Sequence, residues 1–325
     1  MFRLHTTAFV MLGLSMAAAC DAPPPAPTGD ETSHDLAPSA EVVPELPERL
    51  SQTPFSSDRR ELFVPRFKLF TGEAEKVREV VLPEGGTLED DGRGGWIAPE
   101  GTYLFKTFSI EGERVETRVA ARLQGRWVMS AYAWSGDDAV RVDDPAGLEA
   151  AGGHQIPAQA DCLTCHGVND GEQVLPRPVA FAPMMLDHDG DGLTTASLLG
   201  DGRFHGAPAT GLGVSDPRDL EALGYLAVNC GTCHREGGVA SFSPLRLDID
   251  AATGHFNALD IVGVAATFAP PEMPSLLIAA GAPDESLLFA RMTATDGMRM
   301  PMYAPSTHDS RGLELVAGFI ERLGR

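Results

Sequence analysis

At 325 residues the chain is long enough for two or three units, each able to bury its own core. Its 25 basic and 46 acidic residues give a formal charge of −21. That balance argues against nucleic acid or an anionic membrane surface as partner, and suits an acidic body that meets other proteins or small redox carriers.

The first twenty residues read as a signal peptide. Arg3 supplies the positive end, residues 8–19 are almost unbroken apolar chain, and Ala17-Ala18-Ala19 gives the small residues that processing needs. The run is shorter than the ~20 apolar residues that span a bilayer as a helix. Cys20 follows, as in a bacterial lipobox, although Ala17 stands where leucine is preferred. Lipidation of Cys20 would tether the mature chain to a bacterial membrane, on the periplasmic or cell-surface side. The alternative is ordinary cleavage beside an incidental cysteine.

Residues 21–54 are rich in Pro, Ala and acids and have no periodicity, which predicts a solvated tether. Residues 55–145 read as a β-rich domain. Strands are expected over 62–70, 76–82, 102–110, 116–123 and 127–134, with hairpin turns at Glu111-Gly112-Glu113 and Gln124-Gly125-Arg126. No catalytic constellation stands out in it. Residues 146–212 form a first motif-bearing segment of loops and short helices, and residues 213–325 a second. Helices are expected over 217–229, capped by Ser215 or Asp216, over 284–292 and over 309–323.

Four of the five cysteines fall in two C-x-x-C-H motifs, Cys162-Leu163-Thr164-Cys165-His166 and Cys230-Gly231-Thr232-Cys233-His234; the fifth is Cys20. Two cysteines three apart reach the two vinyl groups on one edge of protoheme, and the histidine after them lies under the iron. A four-cysteine zinc site would want its pairs about 15–20 residues apart and has no use for the histidines. A thioredoxin-like dithiol would want a βαβ setting, and two disulfides remain possible in an exported chain. The reading is two covalent hemes c, with Cys162, Cys165, Cys230 and Cys233 as attachment points and His166 and His234 as iron ligands.

Asp187-His188-Asp189-Gly190-Asp191-Gly192 has the carboxylate spacing of the first half of an EF-hand loop, but Leu198 stands at its twelfth position. Calcium bound by Asp187, Asp189 and Asp191 is one reading, and a solvated acidic turn is the other. For the sixth ligand of the first iron the candidates are Met184, Met185, His188 and His205; an empty position is a further option.

The order of helix, C-x-x-C-H, Met300-Pro301 and terminal helix resembles class I cytochrome c. That resemblance implies Met300 as the second iron's distal ligand, with Met298 and Met302 as its competitors. The chain as a whole resembles bacterial diheme c-type cytochromes with a β-rich region before the hemes. Residues carrying this likeness include Pro65-Arg66-Phe67-Lys68-Leu69-Phe70, Lys106-Thr107-Phe108, Glu116-Thr117-Arg118, Tyr132-Ala133-Trp134 and Tyr225-Leu226-Ala227-Val228-Asn229-Cys230, then Gly281-Ala282-Pro283-Asp284. The family implies exported electron-transfer proteins.

The expected class is therefore α+β: an antiparallel β sandwich or barrel-like domain followed by mainly helical, cytochrome c-like heme domains. The expected function is electron transfer with other redox proteins as partners, the β-region being a candidate docking module. The alternative is a diheme peroxidase-like enzyme with one open heme, although such enzymes usually place their motifs further apart.

Overall fold

The computed structural model describes residues 44–92, 94–169, 173–206, 211–250, 253–302 and 307–324. Residues 1–43, with the expected signal peptide, Cys20 and most of the tether, lie outside them. The strands are β1 (Glu61–Leu62), β2 (Glu75–Val81), β3 (Leu88–Asp90), β4 (Trp96–Ile97), β5 (Tyr103–Ile110), β6 (Glu113–Leu123), β7 (Arg126–Ser135) and β8 (Asp138–Arg141). Then follow the short β9 (Leu148–Glu149), β10 (Gln155–Ile156), β11 (Gly167–Asn169), β12 (Val174–Pro176) and β13 (Phe204–His205). The helices are α1 (Cys162–His166), α2 (Thr195–Gly200), α3 (Pro217–Asn229), α4 (Leu287–Thr293) and α5 (Ser310–Arg322). The class is mixed α+β, with mainly antiparallel sheets. None of the described helices is long and apolar enough to cross a membrane.

The two expected hairpins form because their turns meet a stereochemical demand. Ile110 pairs with Glu113 and Leu123 with Arg126, each across a two-residue turn whose central residues have positive φ: Glu111 52° and Gly112 83°, Gln124 50° and Gly125 73°. Such turns match the right-handed twist of the strands they join. The principal sheet runs β1-β2-β5-β6-β7-β8, antiparallel throughout. Its pairing order is open, with β1 and β8 as edges, so the strands do not close into a barrel. Over one face lies the three-stranded β13-β3-β4 sheet, where β13 joins β3 in parallel.

The expected strand over 62–70 shrinks to β1. Pro65 has no N–H to give a ladder, and the neighbouring N–H groups go elsewhere: Arg66 to the Met185 carbonyl at 2.7 Å, Phe70 to Asn229 Oδ1 at 2.7 Å. The segment is a strap laid from the sheet onto α3. The end of the expected tether is also folded. Leu46 and Leu50 are buried against Val81, Phe105, Val119 and Tyr132, and Tyr132 donates from its hydroxyl to the Pro47 carbonyl at 2.7 Å. Burying each leucine stabilises by roughly 1.5–3 kcal/mol, enough to hold this stretch down despite its prolines.

Asp216 caps α3 by accepting from the Arg218 N–H, and Asp309 caps α5 through the Gly312 N–H. The expected helix over 284–292 is split: Pro283–Glu285 is a 3-10 turn, and α4 starts after Ser286, whose hydroxyl bonds to the Ala282 carbonyl and accepts from the Ala279 N–H. Helices α3 and α5 pack through Leu223, Leu226, Val316, Phe319 and Ile320. The strap enters the same core at Gly224, where an added Cβ would meet a Phe67 ring carbon at 2.1 Å. Gly224→Ala should therefore destabilise the protein by about 1–3 kcal/mol, even though alanine favours an exposed helix by about 1 kcal/mol. A lowered denaturant midpoint checks this; a raised one would mean that propensity outweighs the ring.

Candidate functional site

Helix α1 is a single turn, so Cys162 and Cys165, three residues apart, present their thiols on one side. The hairpin β11–β12 folds the following chain back along it, with the Arg177 N–H 2.9 Å from the His166 carbonyl. This places the Arg177 carbonyl 2.9 Å from His166 Nδ1. A carbonyl only accepts, so Nδ1 carries the proton and Nε2 the lone pair. Burial lowers the imidazole to about 4, against the Arg177 bond and with help from Lys106, Arg118 and Arg235. A neutral, tautomer-fixed imidazole is the form in which histidine ligates a metal.

The second motif grows out of the C-terminus of α3. The Cys230 N–H bonds to the Leu226 carbonyl, and the Cys233 and His234 N–H groups return to the Cys230 carbonyl at 3.1 and 2.9 Å, again one tight turn. His234 Nδ1 is buried and makes no hydrogen bond of ordinary geometry, although the Leu245 backbone lies close enough to favour its proton. Burial, then Arg246 and Arg291, push this imidazole below its usual range. Pro176-Arg177 and Pro244-Leu245 stand at the same offset from their motif histidines. The repeat thus extends past the pentapeptides, a signal that a search confined to the cysteines overlooks.

The fold docks the two motifs on each other. The Cys165 and Cys233 thiols act on each other across the contact between the motifs, which holds Cys233 down and Cys165 up. The Cys233 thiol also lies 3.6 Å from the Thr164 carbonyl. Arg235 is buried between the motifs, donating to Thr232 O at 3.0 Å and Gly167 O at 2.9 Å. The Asn169 N–H reaches the Gly237 carbonyl at 2.9 Å. Gly237 has φ +67°, and a Cβ there would stand 2.8 Å from the Asn169 carbonyl oxygen, so glycine allows the approach. All four cysteines are free thiols. No three His, Cys, Asp or Glu side chains gather as a metal-binding group among the described residues, so the cysteines do not form a tetrahedral cage. Each motif offers instead two thiols and one neutral imidazole on a turn, the donor set that covalent heme attachment requires.

The other expected site residues are spread around this centre. The Met300 N–H bonds to the Arg291 carbonyl at 2.9 Å, and Met300 lines a small pocket with Phe70, Tyr225, Met292 and Leu313. Arg291 is also one of the charges that act on His234. Met298 receives a 3.5 Å contact from Arg291 Nη1, and Met302 is exposed. Met184 and Met185 are both buried, Met185 in the core that holds Leu223, Leu226 and Cys230. His188 is engaged at both nitrogens, with the Val64 carbonyl at 2.6 Å and the Gly190 N–H at 2.9 Å, and His205 is exposed on β13. Asp187, Asp189 and Asp191 form no converging group: Asp187 lies 3.9 Å from Arg66 and the other two carboxylates are exposed.

Three features were not anticipated. Asn229, next to Cys230, ties the strap to the second motif, accepting from the Phe70 N–H and donating to the Lys68 and Tyr225 carbonyls. Glu116, fully buried on β6, binds Arg118 at 2.6 Å and His154 at 2.7 Å. Burial works to raise its carboxyl, but the His154 hydrogen bond and Arg118 outweigh it and hold the group below the ordinary range. Finally, Arg78, Lys106 and Arg118 form a cross-strand row on β2, β5 and β6. Burial, followed by Arg118, Arg78 and Lys76, takes Lys106 well below the usual lysine range, and burial lowers Arg78 to about 10. Both are half-buried.

Comparison with protein-family models, with curated proteins and with solved structures found no match.

Proposed function

We propose that the chain is an exported diheme c-type cytochrome that passes single electrons between redox partners. One heme c is held by Cys162, Cys165 and His166, the other by Cys230, Cys233 and His234. The observation that carries this reading is the docking of the two motifs through Cys165, Cys233 and Arg235. Each heme, when bound, supplies a one-electron couple. The chain fixes the attachment points in contact, orients His166 through Arg177 and keeps both imidazoles neutral. Two rigid turns sharing a contact favour electron exchange over substrate chemistry, since little has to move between redox states.

In this reading the second segment is cytochrome c-like. Supporting it are the contact of α3 with α5, where Gly312 faces the Tyr225 ring, and the position of Met300 beside Arg291. Met300 is then the distal ligand of the second iron, and Cys20 the lipid attachment site that tethers the body outside the cytoplasm. The acidic surface and the sheet domain meet the redox partners.

The test is the mass and absorbance of the mature chain expressed with a heme-attachment system. The expected result is two hemes per chain that survive denaturation and organic extraction. Extractable heme, or a colourless protein that carries zinc, would defeat the proposal.

A further inference from the structure

The inner face of the principal sheet is built in rows. On β2, β5 and β6, Val80, Leu104 and Ala120 make one apolar row, which packs under Phe181, Leu186 and Leu198. Two residues along each strand, the row is Arg78 opposite Lys106 opposite Arg118. Two further along, Lys76 donates to the Leu69 carbonyl at 2.6 Å, Phe108 is covered by Ala74 and Ala150, and Glu116 by His154. The charged row thus lies between two covered ones. The first motif sits over this face: Gln159, in the turn leading into α1, reaches the Met129 carbonyl on β7 at 3.5 Å, and β12 packs on β7. The charges of Lys106 and Arg118 both act on Cys165 and His166.

Like charges directly opposite on paired strands repel. The Phe108 ring softens this, with Lys106 Nζ 4.7 Å and the Arg118 guanidinium 4.8 Å from its centroid. Among the described residues only Glu116 supplies a carboxylate to the row, and it is spent on Arg118 and His154. Arg78 Nε is buried without a hydrogen bond. With Glu116 spent in this way, the row faces the first motif with no free carboxylate of its own, and protoheme carries two carboxylates.

We infer that the row Arg78, Lys106 and Arg118 is the wall that receives the propionate carboxylates of the heme held at Cys162 and Cys165. This rests on the diheme reading above and adds to it the residues that seat one ring. It also assigns the sheet a part in the first redox centre: fixed cations beside a heme favour its reduced, less positive state and raise its potential.

The test uses the holoprotein and its Lys106→Gln, Arg78→Gln and Lys106→Arg variants. Heme content, the propionate bending bands in resonance Raman and the two midpoint potentials are read together. The expected result for Lys106→Gln is two hemes per chain, a shifted propionate band at one heme, and a lower midpoint at that heme alone. Lys106→Arg restores both. Should Lys106→Gln not fold, Arg78→Gln is expected to move the same band and midpoint. Unchanged bands and midpoints in both glutamine variants overturn the inference while leaving two hemes in place. A change of spin state in Lys106→Gln overturns it as well, since Lys106 would then be on the iron. Wild-type chain without covalent heme overturns the parent reading instead.

Discussion

A chain in which Cys162 and Cys165 are both alanine is expected to carry one covalent heme in place of two. Attachment needs both thiols and the imidazole of one motif within a single turn, and the second motif has its own complete set on Cys230, Cys233 and His234. The remaining centre should not be untouched, however. Cys233 loses the neighbouring Cys165 sulfur, while Arg235 keeps its bonds to Thr232 and Gly167. Spectra of this variant isolate the second heme, where coordination by Met300 predicts a low-spin iron with thioether ligation. Heme-to-protein ratios and the mass of the intact chain check the count. Two hemes retained would show that the first motif is not an attachment site.

The second large effect is on stability. Replacing Glu116 by glutamine should cost about 3–5 kcal/mol, because it leaves the partners of a buried ion pair uncompensated. The carboxylate has no exposed surface and serves two groups at once, Arg118 and His154. Its acidity also sets a pH dependence. The folded pKa lies below the ordinary glutamate value, so the unfolded chain takes up the proton first as pH falls. The stabilisation is complete above the unfolded pKa and is lost as pH drops through the depressed folded value. Unfolding midpoints of the wild type should fall over that acid window, and those of Glu116→Gln should fall less. Equal acid sensitivity in the two proteins would rule Glu116 out as the source.

The features legible in the sequence are those whose cause is local. A C-x-x-C-H pentapeptide suggests the proposed chemistry because the three donor groups must share one turn, whatever surrounds them. Glu111-Gly112 and Gln124-Gly125 reveal their hairpins because positive φ is a demand on the turn residues themselves. The apolar stripe and Asp216 cap of α3 are local in the same sense. The strand expected over 62–70 failed for a non-local reason: its alternating apolar residues serve a strap whose hydrogen bonds go to Met185 and Asn229.

The sequence by itself singled out the residues proposed to bear the chemistry, the hairpin turns of the sheet, and the mixture of sheet and helix. Only the tertiary structure decided that Cys165 meets Cys233, that Leu46 and Leu50 belong to the core, and that Arg78, Lys106 and Arg118 form one row facing the first motif. Spacing within a few residues is set by backbone geometry and can be read from the chain directly. Encounters between residues far apart depend on how every intervening segment packs, and no short pattern encodes that sum.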